Sequence, residues 1–336
     1  MLDEALAAPE CVAAQLNADE DRYREIGAWL AQHPPSAALT IARGSSDHAA
    51  SYFAYLSAVR GGRLVSSLCM SLVTLYDAPI SAKGLFAVAI SQSGRSPDVR
   101  VPVERFREGG AATVAMVNDV ASPLAQAAQW VLPLHAGAER SVAATKSFIC
   151  SLVAGARLVA HWCGDSELRD AIGELPETLR TACTHDWSSA VDALLTAQRI
   201  MVVGRGTGLA IAQEAALKFK ETCGIQAEAF SSAEVKHGPM ALVESGYPML
   251  VFAPRGPAQA DLLALAAEMR ERGAKVLLAA PSDIGQRQLT LSHTLTPDLD
   301  PIAAIQSFYP MVEALARARG CDPDRPRHLK KITSTL

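Results

Sequence analysis

The chain has 336 residues, 49% of them hydrophobic and only 5% aromatic, and a formal net charge of -4. That length suits two domains of ordinary size, and a composition rich in Ala, Val and Leu favours interleaved helices and buried strands over an all-β sandwich. No Lys/Arg run of the kind that neutralises a phosphate backbone occurs, which argues against a nucleic-acid partner, while a few local donors still suffice to bind one small anion.

The opening MLDEALAAPE is acidic and lacks the basic segment and apolar core of a signal peptide, and no 18-residue uncharged apolar run follows. The cysteines at 11, 69, 150, 163, 183, 223 and 321 are odd in number, scattered and without a C-x-x-C pair. A disulfide framework and a structural zinc site are therefore not expected, and a soluble, cytoplasmic protein is.

Three short apolar runs in the first half read as strands, each ending at a polar or Gly-containing turn. They are Leu39 to Ala42 before Arg43-Gly44-Ser45-Ser46, Leu85 to Ile90 before Ser91-Gln92-Ser93-Gly94-Arg95-Ser96, and Ala112 to Val117 before Asn118-Asp119. Helical stretches such as Val101 to Glu108 lie between them, which implies parallel strands with crossover helices. The polar region from Asp165 to Asp186 reads as a boundary. A shift of 162 residues then places Arg43-Gly44-Ser45 on Arg205-Gly206-Thr207, Gly94 on Gly256 and Ala112 on Ala274, so the second half reads as a copy of the first.

The copies differ at their turns. Ligands of open α/β sheets bind beyond the carboxyl ends of the strands, and there the first copy carries Ser45 and Ser46 and, in a second turn, Ser91, Gln92, Ser93 and Ser96; the second copy's counterpart of that second turn is Ala253-Pro254-Arg255-Gly256-Pro257. Hydroxyls and backbone N–H groups at a helix N-terminus suit a phosphate monoester. Such serines are also ordinary N-caps and turn formers. The stretch from Val203 to Gly208 fails the dinucleotide fingerprint, because position 209 is Leu, and no Gly-Lys-Ser/Thr phosphate loop occurs.

Residues 213 to 221 read as helix, with Glu214, Lys218 and Glu221 on one stripe. Alone, that stripe reads most simply as a solvated, salt-bridged face. His237 follows in Glu234-Val-Lys-His-Gly-Pro, where a lone loop histidine is usually structural or merely exposed.

These segments resemble, in order and spacing from about residue 35 to the C-terminus, the isomerase half of glutamine-fructose-6-phosphate transaminase, or glucosamine-6-phosphate synthase. The resemblance is carried by Arg205-Gly206, Glu214 to Glu221, Ala227 to Phe230, Glu234 to Pro239 and Ser91-Gln92-Ser93-Gly94. It continues in Glu139-Arg-Ser-Val142-Ala-Ala-Thr145-Lys146 and the tail Asp324 to Lys331. It implies an α/β fold of two tandem flavodoxin-like sugar isomerase (SIS) domains, each a parallel sheet flanked by helices. It also implies a homodimer with shared active sites, and neither metal nor organic cofactor.

The expected segments are a helical lead over 1–34, a first domain over 35–165, a linker over 166–190, a second domain over 191–325 and a tail over 326–336. The same resemblance implies phosphate binding by Ser46, Ser91, Gln92, Ser93 and Ser96 with Ser45 nearby. It further implies that Glu221 carries a proton between C1 and C2, that His237, supplied across the dimer, assists ring opening, and that Lys218 and Glu214 belong to the acid/base network. By the same resemblance Lys331 corresponds to the tail lysine that forms a Schiff base with the open-chain ketose.

The chain departs from the family in opening on a short lead with Cys11 in its interior instead of a glutaminase domain, so it is expected to make no ammonia from glutamine. Arg95 stands within S-G-R-S-P-D where the synthase has S-G-E-T, and Ala144, beside Val142, replaces a Ser; Arg95, Val142 and Ala144 are thus candidate substrate contacts. S-G-R-S-P-D resembles the SIS-class glucosamine-6-phosphate deaminases, which implies sugar-phosphate partners, glucosamine 6-phosphate and fructose 6-phosphate. Other phosphosugar isomerases, fructosamine-phosphate deglycases and non-catalytic sugar-phosphate sensors share the domain.

Overall fold

The computed structural model describes residues 1–331. It contains two compact units, each built on one five-stranded sheet. The N-sheet unit comprises residues 10–139 and 146–173 with the tail from Lys330, and the C-sheet unit comprises 1–9, 140–145 and 174–329. Residues 166–173 and 175–182, within the stretch expected as a linker, are helical.

The N-sheet unit carries β1 (Ala37–Ile41), β2 (Val65–Ser67), β3 (Leu85–Ser91), β4 (Ala112–Val117) and β5 (Trp130–Pro133), all parallel in the order β2-β1-β3-β4-β5. All six positions of β4 are buried, as are the last six of β3, which explains why they read as continuous apolar runs rather than alternating ones. The helix Lys146–Cys163 is buried along nearly its whole length.

In the C-sheet unit, β6 (Arg199–Gly204), β7 (Gln226–Ser231), β8 (Pro248–Phe252), β9 (Lys275–Pro281) and β10 (Leu289–Leu291) are ordered β10-β9-β8-β6-β7. Read from β7, this is the same 2-1-3-4-5 order, the flavodoxin-like winding whose ligand crevice opens between the first and third strands.

The repeat is visible in backbone conformation. Gly44 has φ 54° and ψ -134°, and Gly206 has φ 59° and ψ -132°; each precedes a 17-residue helix, Ser45–Gly61 and Thr207–Cys223, that ends at a left-handed glycine, Gly62 or Gly224. The ungapped offset of 162 needs one correction. Leu39 pairs with Ala87 as Met201 pairs with Met249, at 162, but Phe86 pairs with Ala112 while Pro248 pairs with Lys275, at 163. One residue has been inserted before β9, and the helix leading to it, Gln259–Glu271, has 13 residues against 12 in Pro97–Glu108.

Among the described residues, no helix is long and apolar enough to cross a membrane.

Candidate active site

Two of the serine-bearing turns lie beyond the carboxyl ends of β1 and β3, at the switch point of the N-sheet unit. Ser45 and Ser46 open the 17-residue helix after Gly44, where first-turn N–H groups have no intrahelical acceptor and the helix dipole is positive. After β3, the Ser91 hydroxyl accepts the Gly94 N–H at 3.0 Å and the Ser93 hydroxyl accepts the Arg95 N–H at 3.3 Å, so part of the turn-forming reading holds for these two. Ser96 occupies the N-cap of the Pro97–Glu108 helix, yet its hydroxyl makes no capping bond.

Gly94 is required on two counts. Its φ is +62°, and a Cβ there would fall 2.1 Å from the Ser122 hydroxyl. The loop is thus pressed against the start of the Pro123–Ala127 helix, and the Leu124 N–H donates to the Gly94 carbonyl at 3.1 Å. Arg43, just before the first turn, donates to the buried Asp98 carboxylate at 3.0 Å and so ties the two turns together. Arg95 is exposed and paired with Asp119 at 3.1 Å.

The corresponding place in the C-sheet unit is occupied by its own side chains. Arg255 donates through Nε and Nη2 to the buried Asp300 carboxylate at 2.8 and 2.9 Å and through Nη2 to the Thr294 carbonyl at 2.6 Å. A guanidinium whose donors are committed to an internal carboxylate is a poor anion receptor.

The C-sheet unit instead holds the charged helix. Glu214 and Lys218 are both fully buried, and Glu221 keeps 19% of its side chain exposed. The Lys218 ammonium lies 3.3 Å from Glu214 and 2.5 Å from Glu221, and the Tyr309 hydroxyl reaches Glu214 at 3.4 Å. The solvated-face reading is therefore wrong: the Asp300–Ala318 helix covers this stripe, with Phe219 and Phe308 packed edge-to-face at 5.2 Å. Burial alone would push the Lys218 pKa down, but the attraction of Glu214 and Glu221 and the hydrogen bonds to both outweigh it, and the pKa lies above its ordinary value. Lys218 is thus a fixed cation, and Glu221 is the member of the triad that reaches solvent.

His237 is exposed, two residues beyond the short Ser232–Val235 helix, and Gly238 after it takes φ +141°. Val142 and Ala144 lie in the 140–145 segment of the same unit, both half-buried. The Val142 N–H donates to the Asp324 carbonyl at 3.2 Å, and the Ser141 hydroxyl donates to the Asp324 carboxylate at 2.7 Å. Lys331 is the last residue described; its ammonium donates to Glu139 at 2.8 Å within the N-sheet unit. The remainder of the expected tail, 332–336, lies outside the described residues.

A family model described as the SIS domain matches residues 35–160 and again 193–314. The chain belongs to the SIS domain family. It is 35% identical over 315 residues to a glutamine–fructose-6-phosphate aminotransferase of Aeropyrum pernix, a match covering 88% of this chain and 51% of that protein. It is 33% identical over 276 residues to the Zymomonas mobilis aminotransferase, covering 76% and 45%. The chain thus spans about half the length of these curated relatives. Among solved structures it is similar to a Silicibacter pomeroyi protein described as a "putative phosphosugar isomerase", with 42% identity, a TM-score of 0.91 and coverage of 96% of this chain and 99% of that one. The C-terminal domain of the Francisella tularensis glucosamine-fructose-6-phosphate aminotransferase shares the fold at 24% identity and a TM-score of 0.84.

Within this SIS framework the expected residues fall into separate groups. Ser45, Ser46, Ser91, Gln92, Ser93 and Ser96 share the β1/β3 end of one sheet, and Glu214, Lys218 and Glu221 share one helix. Two participants carried no assigned role in the sequence reading. Tyr309 is 95 positions from Glu214 and has no local signal, whereas Glu139 stands inside a motif that the resemblance already marked.

Proposed function

We propose that this chain is an amino-sugar phosphate deaminase/isomerase that converts glucosamine 6-phosphate to fructose 6-phosphate and ammonia. The observation that carries this reading is the Glu214–Lys218–Glu221 triad, a buried cation clamped between two carboxylates with only Glu221 of the three reaching solvent. A buried charged group without a task is a cost that packed apolar side chains would avoid, and a carboxylate oriented by a fixed ammonium is what proton transfer between adjacent carbons requires.

The turns after β1 and β3 hold the phosphate. His237 assists opening of the sugar ring. Glu221 removes the C2 proton of the open-chain aldose and returns it to C1, and Lys218, buried behind it, holds the Glu221 carboxylate in place. The imine at C2 then exchanges its nitrogen with Lys331, releasing ammonia, and water hydrolyses the lysine-bound imine to the ketose. The resemblance of Ser93-Gly94-Arg95-Ser96-Pro97-Asp98 to the SIS-class deaminases supports the amino sugar as substrate. The family resemblance supports a homodimer, which a solution mass measurement tests.

Ammonia release from glucosamine 6-phosphate by the purified protein, with Glu221→Gln and Lys331→Ala as controls, tests this reading. Release by the wild type alone is expected. Aldose–ketose interconversion of another hexose phosphate without ammonia would move the assignment to a general phosphosugar isomerase. Sugar-phosphate binding with no turnover of any hexose phosphate would make the protein a sensor.

A further inference from the structure

Glu139 belongs to the N-sheet unit and lies just before the helix Lys146–Cys163. Its side chain is wholly buried. One carboxylate oxygen accepts the Ser147 N–H at 3.1 Å, and the other accepts the Ser147 hydroxyl at 2.7 Å. Ser147 is the second residue of that 18-residue helix, so the carboxylate sits at the helix's positive end and is held there by two donors that owe nothing to the tail. Its second oxygen also receives the Lys331 ammonium at 2.8 Å, although Lys331 keeps 24% of its own side chain exposed. The asymmetry gives the pair a direction: the carboxylate is fixed by the fold, and the lysine takes its place from the carboxylate.

We infer that Glu139 is the positioning residue for Lys331, the preformed anion that seats the tail and points its amine. The inference rests on the proposed role of Lys331 for its catalytic meaning, but not for its structural content. A lysine carries four rotatable side-chain bonds, and a nucleophile free to sample them spends little time in an attack geometry. A charge-assisted bond to a carboxylate that cannot move removes much of that freedom, and the same carboxylate is placed to take the ammonium proton as the amine attacks the carbonyl. The conservative Glu139→Asp keeps the charge on a shorter stem, whereas Glu139→Gln keeps the length and removes the charge.

Two readouts on the full chain separate this inference from the reading of Lys331 as nucleophile. The first needs no substrate: hydrogen exchange of the tail peptide covering residues 326–331. Loss of one charge-assisted hydrogen bond corresponds to about a tenfold or greater change in an opening equilibrium. Exchange in Glu139→Gln is therefore expected to be at least about tenfold faster than in the wild type, with Glu139→Asp intermediate. Should Glu139→Gln fail to fold, Lys331→Met tests the pair from its exposed side with the same expectation. Unchanged tail exchange in the variant that folds overturns the inference.

The second readout is borohydride trapping of fructose 6-phosphate on Lys331, followed by mass spectrometry. The trapping rate in Glu139→Gln is expected to fall about 10- to 100-fold while the half-saturating sugar concentration stays within about twofold, and Glu139→Asp is expected to recover part of the rate. Wild-type protein that traps no sugar at Lys331 would remove the nucleophile reading and leave the exchange experiment to judge Glu139. Wild-type trapping matched by Glu139→Gln would keep Lys331 and overturn the positioning role.

Discussion

Replacing Lys218 by Met removes the cation from between Glu214 and Glu221 while keeping a side chain of similar volume. The carboxylate of Glu214, fully buried, loses its neutralising charge at 3.3 Å. Removing one partner of a buried ion pair costs about 3–5 kcal/mol. With a urea dependence of about 2 kcal/mol per molar for a unit of this size, the unfolding midpoint of the C-sheet unit should fall by about 1.5–2.5 M.

The double variant Glu214→Gln/Lys218→Met takes away the stranded charge as well and should recover more than half of that loss, because the penalty belongs to the unpaired carboxylate and not to the missing lysine. The pH dependence follows from the raised Lys218 pKa. A group whose pKa is higher folded than unfolded contributes stability that is fully present below the unfolded value, near 10.5, and lost as pH rises through the folded one. The midpoint gap between wild type and Lys218→Met should therefore close as pH rises above about 10.5, where Lys218 in the wild type loses its proton. Urea titrations followed by circular dichroism measure both. A Lys218→Met midpoint within about 0.5 M of wild type, or a double variant no more stable than the single, would refute the argument that the triad is a buried and mutually neutralising unit.

Glu221→Gln should separate chemistry from stability: turnover should fall by about 100-fold or more, while stability changes by less than about 1 kcal/mol, since the amide oxygen still accepts from Lys218 and the site is partly open. Steady-state kinetics beside a urea titration checks the split. Gly94→Ala should weaken fructose 6-phosphate binding by at least about tenfold in calorimetry, because the new Cβ meets Ser122 at 2.1 Å, whereas Gly44→Ala meets nothing and should show only the strain of its positive φ, about 1–2 kcal/mol of stability. Equal losses of affinity in the two would count against the steric account. Arg255→Met should cost about 1–3 kcal/mol by stripping two donors from the buried Asp300, and should leave sugar-phosphate affinity within about twofold. A tenfold loss of affinity there would mean that the second copy binds anion after all.

Much of the architecture is legible in the sequence. Buried parallel strands need mostly apolar side chains on both faces, so β3 and β4 announce themselves as runs interrupted by no charged residue, and the glycines at 44 and 206 mark turns that other residues rarely adopt. Duplication made the reading stronger, since the same signals recur 162 positions later. The serines after β1 and β3 could be placed at a crevice because winding order and strand ends dictate where ligands of such sheets go.

The insertion before β9 was not legible, because Ala274-Lys275-Val276 matches Ala112-Thr113-Val114 one residue out of step, and only the hydrogen-bonded register separates 162 from 163. The state of the charged helix was not legible either. The spacing of Glu214, Lys218 and Glu221 determined that they share a face. Whether that face meets water depends on what lies over it, and the cover is the Asp300–Ala318 helix, some 90 residues further along the chain. Likewise the sequence marked Glu139 and Lys331 as parts of one family pattern, but a bond across 192 positions is a property of the folded chain. Local conformational preference and hydrophobic period travel with the sequence; burial and the pairing of charges belong to whichever distant segments the fold brings together.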